Sequence, residues 1–406
     1  MRHIFCAKVF FFCCFCTIVL FIFNVLVTKE EKYEYLSISA EIEAKQDISN
    51  RNIDEYLKDP NIKYLLEWTS PITEPFIFLD IGQKGFIRRR CHYTNCFVTA
   101  NRSLLGDIRQ FDVILFHGPE INRNFKNLPV VRSRRQKFVY ASMESSHYYP
   151  LCSNKMDNYY NWTWTFRLDS DARWGYILVK DRNGTVIGPN KVMHWMKLEE
   201  MQPVEPAFKE KLKSKKKAAA WFVSNCNDIS GRKQFGDALK MELKNYKLEL
   251  DVYGKCGSLS CSLEDENECE RKIDEVYYFY LAFENSFSED YVTEKLLHAL
   301  KNNAVPVVYG GANYSRFMPE GIYLNARDLG VKKLAAKMNE LIQDPDKYAE
   351  YFRWKNHYSF HSRNEDDSVH NEYCEFCALL NDETRMNEVT IVEKFRDWWN
   401  NPNTCR

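Results

Sequence analysis

The longest apolar run lies near the start of the chain. Residues 9–27 (VFFFCCFCTIVLFIFNVLV) carry no charge, and Thr17 and Asn24 are their only clearly polar side chains. At about 1.5 Å per residue, a helix of this length covers roughly 30 Å, the thickness of a bilayer's hydrocarbon core. The run is longer than the apolar part of a cleaved signal peptide, and no A-x-A-like site accompanies it. We therefore expect an uncleaved membrane anchor at 9–27 behind a cytoplasmic tail, 1–8.

Short apolar runs separated by polar loops predict strands further along. The segment before them, 28–70, is charged and only weakly apolar, which is typical of a stem that holds a globular part away from a membrane. The expected strands are 75–82, 111–118 and 137–145. Each run ends where a polar or charged loop begins. They predict a βα-type N-terminal domain over 71–215, and a Lys-rich break, 209–217, is expected to be a linker or an exposed helix end.

The second half alternates between strand-like and helix-like segments. The strand-like segments are AAAWFVSNC, LELDVYG, VYYFYLAFEN and AVPVVYGG, and the helix-like segments are GRKQFGDALKMELKN and YVTEKLLHALKN. Such alternation is typical of an α/β fold, in which helices cover both faces of a parallel sheet. It predicts a C-terminal domain over 216–360. Further helices are expected at 332–342 and 346–357, and the segment 361–406 should end in a helix that docks its tryptophans.

Composition and charge narrow the class of protein. The 56 basic residues balance the 56 acidic ones, so no overall positive field would attract nucleic acid. Ten of the 14 cysteines follow residue 27, as do four Asn-X-Ser/Thr acceptor sites, at Asn101, Asn161, Asn183 and Asn313. An even number of cysteines beside such sites suits a lumenal chain folded under oxidising conditions. Residues 28–406 are therefore expected to lie within the secretory pathway.

Several common motifs are missing. No G-x-G-x-x-G follows a strand and no GxxxxGK[ST] occurs, which disfavours a dinucleotide oxidoreductase and a P-loop NTPase. The triplet Asp169-Ser-Asp171 matches the D-x-D pattern of Mn²⁺-dependent sugar transferases. Three residues match often by chance, however, and the same triplet can cap a turn. It is weak evidence for a metal site.

The segment 283–295 is the richest in candidate chemistry. A buried strand ends in Glu284 and Asn285, and a helix begins near Tyr291 that carries Glu294 and Lys295 in its first turn. The carboxyl end of a parallel sheet is where α/β proteins bind ligands, and a helix N-terminus favours an anion. The carboxylates can accept hydrogen bonds from sugar hydroxyls. In the alternative interpretation, Asp290 or Thr293 caps the helix, and Glu294 and Lys295 form a solvated pair.

The run FYLAFENSFSEDYVTEKLLHALKNNAVPVVYGG closely resembles the donor-binding motif of the α1,3-fucosyltransferases. The resemblance extends to FVSNCNDISGRKQF, LELDVYGKCGSLSC, SMESSHYYP, FRLDSDARWGY and the closing CEFC, and so covers most of residues 75–380. It implies a GT-B arrangement of two facing Rossmann-like domains, the N-terminal one for the acceptor and the C-terminal one for GDP-fucose. It also implies a single-pass type II Golgi membrane protein whose catalytic domain is lumenal.

The resemblance also implies roles for individual residues. Arg232 and Lys295 would face the diphosphate of GDP-fucose, and Asn285, Tyr291 and Glu294 would contact its guanosine or fucose, with Glu284 close by. Fixed cations stabilise a departing diphosphate without a metal, so no metal is obligatory, although Mn²⁺ could stimulate the reaction. Structural alternatives remain for each residue, and for Arg232 the alternative is a solvated residue at a helix start.

On the acceptor side, Glu144 corresponds to the general base proposed in this family, which takes the proton from the acceptor hydroxyl as the anomeric carbon inverts. Its alternative is a loop carboxylate that accepts hydrogen bonds from backbone N–H groups. His147 is expected to be a local structural histidine or an acceptor contact. His117 and Glu120 also follow a strand on this side, and substrate contact is an open interpretation for both.

Three further expectations follow from the resemblance. Cys91 and Cys96 would bond to Cys374 and Cys377, which would pack the segment 361–406 back on the N-terminal domain. The cysteines at 226, 256, 261 and 269 would pair within the donor domain. The acceptor would be an N-glycan on a glycoprotein, modified at its chitobiose core, although Ser288 stands where core-type enzymes have cysteine.

Two alternative functions stay open. One is a Lewis-type enzyme that fucosylates GlcNAc of outer antennae. The other is an inactive membrane protein that binds GDP-fucose or a glycan. The second alternative predicts that the general base, or the cationic residues that would bind the diphosphate, are missing from the sequence. All of the candidate residues are present, namely Glu144, Arg232, Glu294 and Lys295.

Overall fold

The computed structural model describes residues 61–71, 76, 79–123, 128–261, 267–363 and 371–405. The expected tail, the membrane anchor at 9–27 and nearly all of the expected stem lie outside the described residues. Within the described ranges, no helix has both the length and the apolar character needed to cross a membrane.

A six-stranded sheet forms the N-terminal half. Its strands are β1 (Lys63–Glu67), β2 (Cys96–Thr99), β3 (Val113–His117), β4 (Lys137–Ser142), β5 (Trp162–Thr165) and β6 (Ala172–Arg173). They lie in the order β2-β1-β3-β4-β5-β6, and every neighbouring pair is parallel. All residues of β3 and β4 are buried, which is why these strands are nearly continuous apolar runs in the sequence.

The first strand differs from the sequence prediction. No strand forms in the described part of 75–82, where Asp80 has a φ of 58° and Gly82 makes a single bridge to Val98. Phe76 and Leu79 are buried there without strand pairing, so their hydrophobicity reflects core packing. The sheet instead begins with β1, inside the range assigned to the stem, because Leu65 and Leu66 are buried between β2 and β3.

A five-stranded parallel sheet forms the C-terminal half, as the alternating pattern predicted. Strands β9 (Lys217–Phe222), β10 (Leu250–Tyr253), β11 (Tyr277–Phe283), β12 (Val305–Tyr309) and β13 (Leu324–Asn325) lie in the order β10-β9-β11-β12-β13. A third sheet is antiparallel, in the order β14-β7-β8, and consists of β7 (Ile177–Asp181), β8 (Val186–Gly188) and β14 (Tyr358–Ser362). It pairs a strand that follows the C-terminal sheet with strands that follow the N-terminal sheet.

Helices cover both large sheets. They are α1 (Lys84–Arg88), α2 (Gly118–Arg123), α3 (Pro206–Lys213), α4 (Arg232–Leu243), α5 (Glu268–Val276), α6 (Glu294–Lys301), α7 (Ala326–Gln343), α8 (Pro345–Glu350), α9 (Glu372–Asn381), α10 (Glu383–Asn387) and α11 (Phe395–Trp399). The Lys-rich break includes the end of α3, as expected. Of the two helices expected at 332–342 and 346–357, the first is part of α7, whereas the second begins as α8 and continues as a 3-10 turn at Arg353–Asn356.

The C-terminal segment packs on the N-terminal sheet. The ring of Phe376 in α9 stacks 4.0 Å from that of Trp164 in β5, and the buried Trp399 in α11 donates its indole N–H to the carbonyl of Tyr149. The disulfides Cys91–Cys374 and Cys96–Cys377 confirm the expected pairing of early with late cysteines. Two disulfides of the C-terminal half, Cys226–Cys256 and Cys261–Cys269, are likewise as expected, and Cys152–Cys405 was not predicted.

Candidate active site

A buried ion pair organises the start of α6. Glu284 follows β11 directly and is only 1% exposed. Its carboxylate accepts hydrogen bonds from the backbone N–H of Thr293 at 2.9 Å and from the Thr293 hydroxyl at 3.0 Å. The ammonium group of Lys295 lies 3.1 Å from the same carboxylate. Glu284 therefore holds the residue that precedes α6 and pairs with Lys295, with both oxygens engaged.

The charge of Lys295 is stabilised by two carboxylates. Burial opposes its charge, but Glu284 and Glu294 outweigh this effect and raise the pKa of Lys295 above its usual value. Burial raises the pKa of Glu284, against the influence of Lys295. Glu294 accepts a hydrogen bond from Lys295 at 3.2 Å and remains 54% exposed. Lys295 is thus a fixed cation beside a helix N-terminus, and Glu294 is the carboxylate that solvent can reach.

Glu144 lies in the loop after β4 and faces the other half of the protein. The hydroxyl of Tyr291 donates a hydrogen bond to its carboxylate at 3.3 Å. Burial raises the pKa of Glu144, although the Tyr291 hydrogen bond and the charge of Lys295 partly oppose this shift. A half-buried carboxylate with a raised pKa is a better proton acceptor than an exposed one.

Tyr291 belongs to the loop before α6 but packs in the N-terminal half. Its side chain is buried, and its ring lies 4.9 Å from that of Phe166 in an edge contact. The charges of Glu284, Glu294 and Lys295 all act on Glu144. The structure therefore gathers Glu144, Tyr291 and the first turn of α6 into one electrostatic cluster.

Arg232, the first residue of α4, is buried rather than solvated. Its guanidinium donates to the carbonyl of Phe283 at 2.7 Å and to that of Asn225 at 3.1 Å. It joins the end of β11 to the loop after β9. Asn285 is half-buried, and its side-chain oxygen accepts a hydrogen bond from the Ser286 hydroxyl at 3.1 Å.

The histidines named from the sequence have local partners. His147 accepts a hydrogen bond from the backbone N–H of Phe287 at 3.2 Å, so its Nδ1 has a structural role. His117 lies 3.1 Å from Glu120, and Glu120 also accepts a hydrogen bond from the backbone N–H of Ser70.

The D-x-D carboxylates face separate basic partners. Asp169 accepts hydrogen bonds from Arg167 and Lys191, which together outweigh burial and lower its pKa. Asp171 accepts a hydrogen bond from Arg385 at 2.8 Å. In the described parts of the chain, no group of three or more His, Cys, Asp or Glu side chains is placed to hold a metal ion.

In the sequence, Ser288 marked a departure from core-type enzymes, but nothing predicted a pairing of hydroxyls between the halves. Ser145 lies against Ser286, and Ser146 lies 2.9 Å from Ser288. The Tyr148 hydroxyl accepts a hydrogen bond from Asn225 at 3.1 Å. Ser145 and Ser146 are adjacent on one loop, and Ser286 and Ser288 flank Phe287 on the other. No periodicity marks such serines, because serine is ordinary in loops.

Two family models match the chain. Residues 60–177 match the description "Fucosyltransferase, N-terminal", and residues 212–398 match "Glycosyltransferase family 10 (fucosyltransferase) C-term". A solved α1,3-fucosyltransferase with GDP-fucose superposes with a TM-score of 0.48 and 15% identity, over 82% of this chain and 93% of that one.

Three curated relatives show the same relationship. Alpha-(1,3)-fucosyltransferase C of Drosophila melanogaster is 36% identical, over 78% of this chain and 71% of that protein. Glycoprotein 3-alpha-L-fucosyltransferase A of the same organism is 30% identical, over 80% of this chain and 58% of that protein. A human 4-galactosyl-N-acetylglucosaminide 3-alpha-L-fucosyltransferase is 30% identical, over 82% of this chain and 83% of that protein. The chain belongs to the fucosyltransferases of glycosyltransferase family 10.

Proposed function

We propose that this enzyme transfers L-fucose from GDP-β-L-fucose to the 3-hydroxyl of a GlcNAc residue in the N-glycans of glycoproteins, with inversion at the anomeric carbon. The observation that carries this proposal is the contact between Glu144 and Tyr291. This contact places the Glu144 carboxylate, whose pKa is raised, beside the loop that leads into α6 of the other half. The first turn of α6 carries the ammonium of Lys295, whose pKa is also raised. In this proposal the two parallel sheets form a GT-B arrangement.

The donor side suits a nucleoside diphosphate. When the bond between the anomeric carbon and GDP breaks, its electron pair moves to a phosphate oxygen, and negative charge grows there. The free N–H groups at the start of α6 and the Lys295 ammonium can stabilise that charge. Glu284 and Glu294 keep Lys295 protonated. We assign contacts with guanosine or fucose to Asn285, Tyr291 and the exposed edge of Glu294.

Arg232 has a positioning role in this proposal. Its N–H groups already donate to the carbonyls of Phe283 and Asn225, so it fixes the two loops that would receive the diphosphate. Glu284 acts in a similar way, because its oxygens are engaged by Thr293 and Lys295. Neither residue needs a metal ion for this role. If Mn²⁺ stimulates the reaction, it would do so through other groups than Arg232 and Glu284.

Glu144 is the proposed general base. It would take the proton from the acceptor 3-hydroxyl while that oxygen bonds to the anomeric carbon on the face opposite GDP. Because donor and acceptor hydroxyl would lie on opposite faces of the sugar, the β-linked donor gives an α-linked product. This mechanism needs the base and the cation on opposite sides of the reacting sugar, and in the proposal Glu144 comes from one half and Lys295 from the other.

For the acceptor we propose GlcNAc of the chitobiose core. The runner-up is antennal GlcNAc, since a human relative named for a 4-galactosyl-N-acetylglucosaminide substrate is as similar as the Drosophila glycoprotein enzyme. We further propose a single-pass type II Golgi protein anchored by residues 9–27. The five disulfides support a lumenal location for the catalytic part.

The acceptor proposal predicts the products of a defined reaction. Residues 60–406, secreted from a eukaryotic host and supplied with GDP-fucose, should add fucose to the chitobiose GlcNAc of N-glycans. Mass spectrometry of an N-glycan and Lewis-precursor panel measures this. Fucose on antennal GlcNAc instead would establish the runner-up, and donor binding without any transfer would favour the inactive binding protein.

Replacing the base should abolish turnover while donor binding persists. We expect Glu144→Gln to lower kcat by about 10²-fold or more, because the amide cannot accept the acceptor proton. GDP-fucose affinity, measured by calorimetry, should be unchanged. The matched control is Asp112→Asn, a half-buried carboxylate before β3 whose pKa burial also raises. Wild-type turnover by the Gln variant would exclude Glu144 as the base.

Tyr291→Phe should move the pH dependence of the reaction. The lost hydrogen bond stabilised the ionised form of Glu144, so the pKa of Glu144 should rise further. The acid limb of kcat/KM should then shift to higher pH, with the rate retained on the alkaline side. Tyr160→Phe, a buried tyrosine of the same hydrophobic cluster, is the control. An acid limb that stays in place or moves to lower pH would contradict this prediction.

Lys295→Met should weaken GDP binding by about tenfold or more, the loss expected for a charge-assisted contact. It should also destabilise the fold, because Glu284 stays buried without its cation. The double variant Glu284→Gln/Lys295→Met removes both charges and should recover stability without recovering GDP affinity. Lys301→Ala, in the last turn of α6, controls for surface charge. Recovery of GDP affinity by the double variant would show that Lys295 acts only through folding.

A further inference from the structure

Two loops from opposite halves meet through buried hydroxyl groups. The Ser145 hydroxyl lies within hydrogen-bond distance of the Ser286 hydroxyl, and those of Ser146 and Ser288 are 2.9 Å apart. Between the two pairs, the backbone N–H of Phe287 donates to His147. We call this set of contacts the serine clasp. It consists of Ser145, Ser146, His147, Ser286, Phe287 and Ser288.

The clasp requires one relative position of the two loops. All four serine side chains are buried, the least so being Ser288 at 4% exposed. A buried hydroxyl that loses its partner costs far more than a paired one contributes. The contact between Ser146 and Ser288 joins residues 142 positions apart in the chain. Because the donor–acceptor distance of a hydrogen bond varies by only a few tenths of an ångström, a displacement of one half along the other would leave these hydroxyls unpaired.

The clasp adjoins the proposed catalytic groups on both sides. Ser145 follows the base Glu144 directly, and Ser286 follows Asn285 and donates to its side-chain oxygen. A further contact between the two halves lies beyond the clasp, where the buried Asp290 accepts a hydrogen bond from the backbone N–H of Leu168 at 3.2 Å. Asp290 also pairs with Arg316 at 2.7 Å. The loop before α6 is therefore attached to the N-terminal half on both sides of Ser288.

We propose that the serine clasp positions Glu144 against the donor loop, so that Ser146 and Ser288 are positioning residues for the transfer step. The proposal rests on the proposed function, in which Glu144 is the base. All the groups assigned to the donor lie on the C-terminal half or its loop. Loosening the clasp should therefore change the alignment of the base more than it changes donor affinity.

The test uses Ser146→Ala, Ser288→Ala and the double variant in the otherwise intact lumenal chain. Each single variant should lower kcat about tenfold, because one buried hydroxyl is left unpaired and the contact between the two loops loosens. The KM for GDP-fucose should stay within about twofold of the wild-type value. Burial raises the pKa of Glu144, and a looser contact between the loops would admit water and lower that pKa. The acid limb of kcat/KM should therefore move to lower pH. This shift is opposite to that expected for Tyr291→Phe.

The double variant separates positioning from stability. It leaves no hydroxyl of this pair unpaired, so its Tm should recover toward that of the wild type while kcat stays low and the acid limb stays shifted. Tyr253→Phe removes a hydroxyl from the Tyr253–Tyr277 pair within the C-terminal half, at 2.8 Å, and should leave the pH profile unchanged. A double variant that recovers kcat and the wild-type acid limb together with Tm would overturn the proposal.

Glu144→Gln, measured in parallel, distinguishes a failure of the clasp proposal from a failure of the base assignment. If it is inactive while the serine double variant behaves like the wild type, the clasp proposal fails and the base assignment stands. If it turns over like the wild type, the base assignment fails, and the clasp proposal fails with it. Inactive Glu144→Gln together with a slow, pH-shifted double variant supports both.

Discussion

The buried carboxylate of Glu284 is the constraint on which the candidate site depends. It follows the central strand β11 directly, and its two oxygens are shared between Thr293, the residue before α6, and the ammonium of Lys295. An uncompensated charge at this depth would be costly, so the carboxylate, the helix start and the lysine hold one another in place. The position of the cation therefore follows from the packing of the sheet.

The second requirement is that the two halves stay in register. The C-terminal segment returns to the N-terminal sheet, where two disulfides and the stacking of Phe376 on Trp164 hold it. Strand β14, which precedes this segment, pairs with β7 of the connecting region. Phe360 of β14 also packs in one hydrophobic cluster with Leu296 and Leu297 of α6. At the candidate site the halves meet through polar contacts, such as those of Tyr291 with Glu144 and of Asn225 with Tyr148, and through the buried ring of Tyr291.

This division suits a fucosyltransferase. The proposed donor groups belong to one half, the proposed base belongs to the other, and the reaction needs both within a few ångströms of one anomeric carbon. Large apolar cores keep each half rigid. In the serine-clasp proposal, the short polar loops between the halves align the proposed catalytic groups.

The sequence pattern alone identified the parallel C-terminal sheet and the strand-to-helix segment that carries Glu284 and Lys295, whereas Glu144, in the loop after β4, was assigned its role through the family resemblance. These features are local: strand hydrophobicity and polar residues at strand ends occur within a few positions of each other. The resemblance to a known family supplied the early-to-late disulfides. Several strands were not predicted: β1, β2, β5 and β6 of the N-terminal sheet, the antiparallel strands β7, β8 and β14, and the short β13. The run at 75–82, which was predicted as a strand, forms core contacts in the described residues without strand pairing.

Only the tertiary structure decided the partners of the buried polar groups. It turned Arg232 toward two carbonyls, inserted Tyr291 into the core of the opposite half, joined Cys152 to Cys405 and paired the serines of the clasp. Each of these contacts depends on how distant segments pack. Periodicity reports which side of an element is buried, but the partner of a buried polar atom depends on what the other half of the chain places opposite it.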